Sequence, residues 1–230
     1  MSDFLCNSTY YGVAVCILGY ACGELLKRKL KWGCLNPLLI SILFVIVVNQ
    51  ITGVDYERFQ ESAKYLSYLL TPATVCLAIP LYQQLSVLKE HFRAVILGIL
   101  AGVLSSLGGV LGLAYLFGLD HTYYVTLLPK SITTAIGMGV SEELGGIVTI
   151  TVAVIVVTGV IGNVIGELVC KSFRIVEPVA VGLAYGTASH AIGTAKALEL
   201  GEIEGAMSSL SIAVSGLLTV IGASVFANII

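Results

Sequence analysis

Charge is what this chain has least of. Only 11% of its 230 residues are Asp, Glu, Lys or Arg, where a soluble domain carries roughly 25%. Residues 36–51, 94–117 and 145–166 contain no charged side chain at all, and about 20 consecutive apolar residues suffice for a helix to cross a bilayer. Those features point to a polytopic membrane protein and leave a soluble core as a remote alternative. The net charge of −2 leaves no basic face for nucleic acid. Histidine is equally sparse: His91, His121 and His190 lie far apart, without the clustered spacing of a zinc site. Walker A, GxSxG and HExxH motifs are absent, which removes the common nucleotide, hydrolase and metalloprotease chemistries. The six cysteines form no CxxC pair and read as small hydrophobes in helices. No cofactor, metal or enzymatic activity is expected. The opening MSDFLCNSTYY has an acid and no basic n-region, so residues 1–26 read as a first span rather than a cleaved leader.

What is present is a repeat. Residues 128–147, LPKSITTAIGMGVSEELGGI, return at 186–203 as GTASHAIGTAKALELGEI. With an offset of 56, seven of the thirteen positions from 135 to 147 are identical. Both copies are too polar and glycine-rich to face lipid as ordinary spans, and each precedes a long apolar run. A weaker third likeness aligns Pro72 to Ile79 on Pro129 to Ile136 with three identities, which chance explains as well as duplication does.

Basic residues mark the cytoplasmic loops of a membrane protein. Lys27, Arg28, Lys29 and Lys31, then Lys89 and Arg93, then Lys171 and Arg174 therefore mark the inside, and the N-terminus falls outside. Spans are expected over about 10–26, 36–51, 63–88 (kinked at Pro72 and Pro80), 94–117, 145–169 and 206–230. For these ends to agree, residues 122–143 must enter and leave from the outer side and 178–202 from the inner side. Full crossing by each copy is the alternative. The fold class expected is an all-α polytopic membrane protein, with about six spans, two re-entrant or broken-helix segments and an internal inverted repeat. It forms a single domain over 1–230: scaffold spans 1–118, one copy in 119–174 and the other in 175–230.

Non-helical backbone at membrane depth is tolerated where it lines a cavity, and broken helices of secondary transporters aim half-helix N-termini at anionic substrates. The candidate ligand-binding residues are Lys130, Ser131, Thr133 and Thr134 in the first copy and Thr187, Ser189, His190 and Thr194 in the second. Pro129, Gly137, Gly186 and Gly193 are candidates for breaking the backbone. Lys130, set between apolar neighbours, reads either as a substrate cation or as a lysine snorkelling to the surface. His190 reads as a carboxylate ligand or proton carrier, or as a packing histidine bonded to a carbonyl. Glu143 and Glu199 occupy matching places in the repeat and are candidates for coupling or gating, with Lys196. A Lys196–Glu199 pair at i,i+3 would instead make both structural. Glu142, Glu202 and Glu167 read as wetted boundary acids, with Asn163 one turn before Glu167.

The blocks LPKSITTAIGMGVSEELGGI and GLAYGTASHAIGTAKALELGEIEGA resemble those of the LrgB/CidB family of bacterial membrane proteins, and the resemblance extends over nearly the whole chain. One departure is Ala135, where a proline is expected after Thr133 and Thr134; it implies a softer first break. The resemblance implies residence in the bacterial plasma membrane beside a small LrgA/CidA-like membrane partner, and it leaves room for a homo-oligomer. It carries two functional expectations. One is antiholin-like control of murein hydrolases, autolysis (cytolysis) and programmed cell death. The other is carriage of a small carboxylate, as in the similar plastidial glycolate/glycerate transporter and in bacterial pairs linked to pyruvate uptake. The fixed cation, the hydroxyls and the paired polar segments favour a carrier of small monocarboxylates over a lesion-forming holin.

Overall fold

The computed structural model describes residues 8–30 and 37–230. The expected outer placement of the N-terminus, and Lys31 of the first basic cluster, fall outside those residues. The described chain is helical almost throughout and divides into two compact units, Met1–Cys76 and Leu77–Ile230.

The first unit holds α1 (Tyr11–Leu30), α2 (Pro37–Thr52), α3 (Tyr56–Ser67) and α4 (Leu70–Cys76). Helix α1 packs on α2 and α3 around Tyr11, Val15 and Val54. The Tyr11 hydroxyl lies 3.1 Å from Asn49 Oδ1 and 2.8 Å from Thr52 Oγ1. Gly12 lets α3 approach so closely that its backbone N–H donates to Ser62 Oγ at 2.9 Å.

The second unit contains α5 (Ala78–Gln83), α6 (Leu85–Glu90), α7 (Phe92–Phe117), α8 (His121–Leu127), α9 (Thr134–Glu143), α10 (Val148–Ser172), α11 (Pro178–Leu200) and α12 (Glu202–Phe226). Among the described residues, α7, α10 and α12 with its terminal turn are long and apolar enough to cross a membrane. Helix α7 alone is about 39 Å long at 1.5 Å per residue. The stretch 63–88, expected as one kinked span, is instead the end of α3 and the three short helices α4, α5 and α6. Pro72 and Pro80 each sit in the first turn of a short helix, where a missing N–H costs nothing; they begin new helices instead of bending one. Val95, Ile99, Val103, Leu107, Val110 and Ala114 form the buried stripe of α7. That stripe shares one core with Tyr124, Leu128, Ile132, Leu183 and Met207. At the far end of α7, Gly118 adopts φ +61 and Leu119 N–H caps Ala114 O at 3.0 Å, the left-handed closure that glycine allows.

Both repeat copies are interrupted at corresponding places. The first runs as α8, non-helical residues 128–133, then α9. The second runs along α11, whose helical backbone is broken at His190 (φ 42, ψ −139). The first break is the wider despite Ala135, because Pro129 cannot donate and the chain closes two tight turns there, Lys130 N–H to Leu127 O and Ile132 N–H to Pro129 O.

Each copy doubles back. A Cβ on Gly193 would sit 2.7 Å from Tyr185 O, although eight residues of straight helix would part them by about 12 Å. The corresponding pair in the first copy, Gly137 and Pro129 O, stands at 3.5 Å. Gly182 meets Met207 and Gly186 meets Ser211, so the first half of α11 runs parallel to α12. The second half therefore returns to the end from which α11 entered. In the first copy the Thr151 hydroxyl lies 2.9 Å from Thr126 O and 2.7 Å from Ser141 Oγ, which puts both bases of that hairpin beside the start of α10. Thr126–Thr151 and Gly182–Met207 are the same pair of positions in the two copies. The first hairpin has its base where α7 and α12 end, with Tyr124 Oη donating to Phe226 O at 2.9 Å. The second has its base where α12 begins. The two re-entrant elements enter from opposite ends, as an inverted repeat requires.

Candidate functional site

A cavity of about 900 Å³ lies within the second unit. Its long walls are α7, from His91 to Ser106, and the first half of α11, from Glu177 to Ala188; α10 contributes Thr158, Ile161 and Gly162. At one end it meets both breaks, through Lys130 and Ser131 of the first copy and Ser189 of the second. Its other end is flanked by the exposed His91 and Glu177, near the basic residues Lys89, Arg93, Lys171 and Arg174.

Small residues create this space. Gly102 brings Thr187 against α7, where a Cβ would meet its side chain at 3.0 Å. On α10, Gly159, Gly162 and Gly166 form a strip that seats the second break: the His190 ring lies on Gly159, Ser189 on Gly162 and Tyr185 on Gly166. Asn163 completes that seat by donating to Ile192 O at 2.7 Å. The three glycines were not singled out from the sequence. Their i, i+3, i+7 spacing inside an apolar run is the available signal, since small residues on one face let helices approach closely in lipid.

The polar end of the cavity is a short network. Ser131 Oγ accepts from Lys130 Nζ at 2.9 Å and from Ser106 Oγ at 3.0 Å. Its own O–H proton is thus left to donate elsewhere. Ser106 lies fifteen residues along α7 from His91, about 22 Å at the helical rise, so Lys130 sits near the middle of the helix layer. Among the described residues no carboxylate lies within ion-pairing distance of Lys130. Ser131 and Thr187 are the same position in the two copies, and both line the cavity. The position matching Lys130 is Gly186, which packs against Ser211 of α12, so the pair of copies supplies one cation.

The other expected site residues lie elsewhere. Thr133 and Thr134 open α9, half-buried and outside the cavity walls. His190, 3% exposed, turns away from the cavity and its Nε2 bonds Ile155 O at 3.0 Å. Since a carbonyl only accepts, Nε2 carries the proton. Thr194 donates to His190 O at 3.0 Å and shares a 2.7 Å bond with Ser208 Oγ. Lys196 lies 3.5 Å from Glu199 and 3.7 Å from Glu167, which also holds Lys171 at 2.8 Å. That cluster fastens the returning half of α11 to α10. Glu143 is exposed at the end of α9. Of the expected backbone breakers, Pro129 lies in the first break, but Gly137 sits within α9 and Gly186 and Gly193 within the helical halves of α11; the second break falls at His190 instead, and these buried glycines serve close packing. Among the described residues no group of three His, Cys, Asp or Glu side chains is placed to hold a metal ion.

These features define a class: a polytopic α-helical membrane protein with paired, oppositely inserted broken helices around a polar-ended cavity. Residues 16–229 match the model of the LrgB-like family, and the chain belongs to that family. It is 37% identical over 213 residues to proteins named Antiholin-like protein LrgB from Bacillus mycoides (strain KBAB4), Bacillus cereus (strain B4264) and Bacillus anthracis (strain CDC 684 / NRRL 3495). The alignments cover 92% of this chain and 93% of each relative. No solved structure matches the chain.

Proposed function

We propose that this protein is a carrier of small monocarboxylates of the pyruvate, glycolate or glycerate kind, in a bacterial plasma membrane. The observation that carries the reading is the meeting of Lys130 and Ser131 with Thr187 and Ser189 in one cavity. A carboxylate placed there takes a charge-assisted bond from Lys130 and a hydroxyl donor from Ser131. A lone ammonium at this depth is costly unless a ligand or water compensates it, and an anionic ligand does so best. With the basic loops in the cytoplasm, the cavity's His91–Glu177 end faces inward.

The carrier acts beside a small LrgA/CidA-like protein, and its influence on murein hydrolases and autolysis follows from altered metabolite or proton flow. Uptake of labelled pyruvate and glycolate into proteoliposomes, with and without that partner, tests the proposal. Saturable uptake that Lys130→Ala reduces by tenfold or more is expected; wild-type rates in that variant would remove Lys130 from the binding role.

The names of the relatives favour a second reading, an antiholin-like modulator of lysis without a specific substrate. It predicts unsaturable leakage that is indifferent to changes at Lys130 and Ser131.

A further inference from the structure

The cavity is far larger than the ligand that its polar end requires. A three-carbon acid is about 4 Å long from its bond lengths, yet the walls continue about 22 Å along α7 from Ser106 to His91. The volume of about 900 Å³ lies at the upper end of small-molecule sites, which run from about 300 to 1,000 Å³. Polarity is also unevenly placed. Lys130, Ser131, Ser106, Thr187 and Ser189 cluster at the end beside the two breaks, whereas the stretch beyond them is walled by Ala94, Gly98, Ala180, Leu183 and Ala184. A passage meant only for a hydrated three-carbon acid gains nothing from such a lining. A head-and-tail ligand gains affinity from every methylene removed from water.

We infer that the site takes aliphatic monocarboxylates of about four to eight carbons, carboxylate at Lys130 and tail along the apolar wall of α7 and α11. This inference rests on the carboxylate reading of the site and specifies the ligand further. An apolar wall without a fixed second cation disfavours dicarboxylates, whose distal charge would be stranded beside Leu183. Wall residues this small leave the tail free in shape, so branched and straight chains are both accommodated.

The test is equilibrium binding to the purified full-length protein in detergent micelles. The ligands are straight-chain carboxylates from acetate to octanoate, with alcohols of equal length to report partition into micelles. Affinity for the acids should rise by about fourfold per methylene between three and six carbons, the value expected from full burial of each group. The alcohols should bind at least tenfold more weakly than the matching acids. Ala184→Phe, which fills the tail region, should flatten the series. Acids that bind without dependence on chain length would overturn this inference while leaving the carboxylate reading intact, and the apolar walls would then be a water-filled vestibule. Alcohols that bind as well as the acids would overturn it too, because the tail would then be held without its head. Failure of every carboxylate to bind, acetate and pyruvate included, would overturn both.

Discussion

At the residue scale, His190 shows how position overrides residue chemistry. Imidazole in a polar membrane segment is a natural ligand or proton carrier, but the second break turns it onto Gly159 of α10, where Ile155 O takes its proton. Its backbone lies at φ 42, a conformation that glycine adopts without the cost borne by other residues. His190→Gly should therefore be more stable than His190→Ala by about 1 kcal/mol, although both lose the bond to Ile155. Thermal denaturation in detergent would order the two variants. Thr151 makes the contrasting prediction. Its single hydroxyl proton serves two buried acceptors in reach, Thr126 O and Ser141 Oγ, and Thr151→Val should destabilise the first hairpin by about 1–3 kcal/mol by removing the donor they share. Tyr185 Oη is buried against Gly166 with no hydrogen-bond partner. Tyr185→Phe removes an unmet polar group and should leave the melting temperature unchanged or raised; a marked loss of stability would mean that the hydroxyl has a partner when the protein is in its membrane.

At the element scale, the two hairpins are held by different means. The first is tied by hydroxyls, Thr126, Ser141 and Thr151, all fully buried. The second is held by close packing, with Gly182 and Gly186 under α12 and Gly159, Gly162 and Gly166 under α11. Neither set was distinguished by the repeat itself, whose identities lie mostly in the returning halves and their ends, such as Glu143/Glu199 and Gly145/Gly201. Gly162→Val would drive its methyls into Ser189. Overpacking of this kind costs about 1–3 kcal/mol, and here it also displaces a cavity wall. The expected outcome is reduced uptake out of proportion to the loss of folded protein, measured by transport normalised to the monodisperse fraction. Gly108 lies on the same apolar helix as Gly102 but has nothing within reach of an added Cβ, so Gly108→Ala should change neither quantity.

At the scale of the whole molecule, the prediction concerns sidedness. Opposed hairpins place Asp120 on one side of the membrane and Arg93 and Arg174 on the other. In intact cells, an impermeant thiol reagent should label a cysteine placed at Asp120 and spare cysteines placed at Arg93 and Arg174; inverted vesicles should reverse the pattern. A uniform pattern at all three positions would contradict the opposed insertion.

The sequence by itself determined the membrane class, the family, the duplication and the two polar segments within which the helices break. These follow from local causes: scarcity of charge, and matching polar, glycine-rich blocks at a fixed offset. It also indicated that the basic clusters share one side, from which opposed entry of the copies follows. Only the tertiary structure decided which hydroxyls and cations share a cavity. Ser131 and Thr187 face it while Thr133, His190 and Thr194 do not, because a helix break sets side-chain direction through its own φ and ψ and through the surface on which it rests. That surface is the glycine strip of α10, whose role depends on contacts between segments that are distant in the chain. The same reason explains why 63–88 divides into short helices: proline can begin a helix or kink one, and the packing around it selects between them.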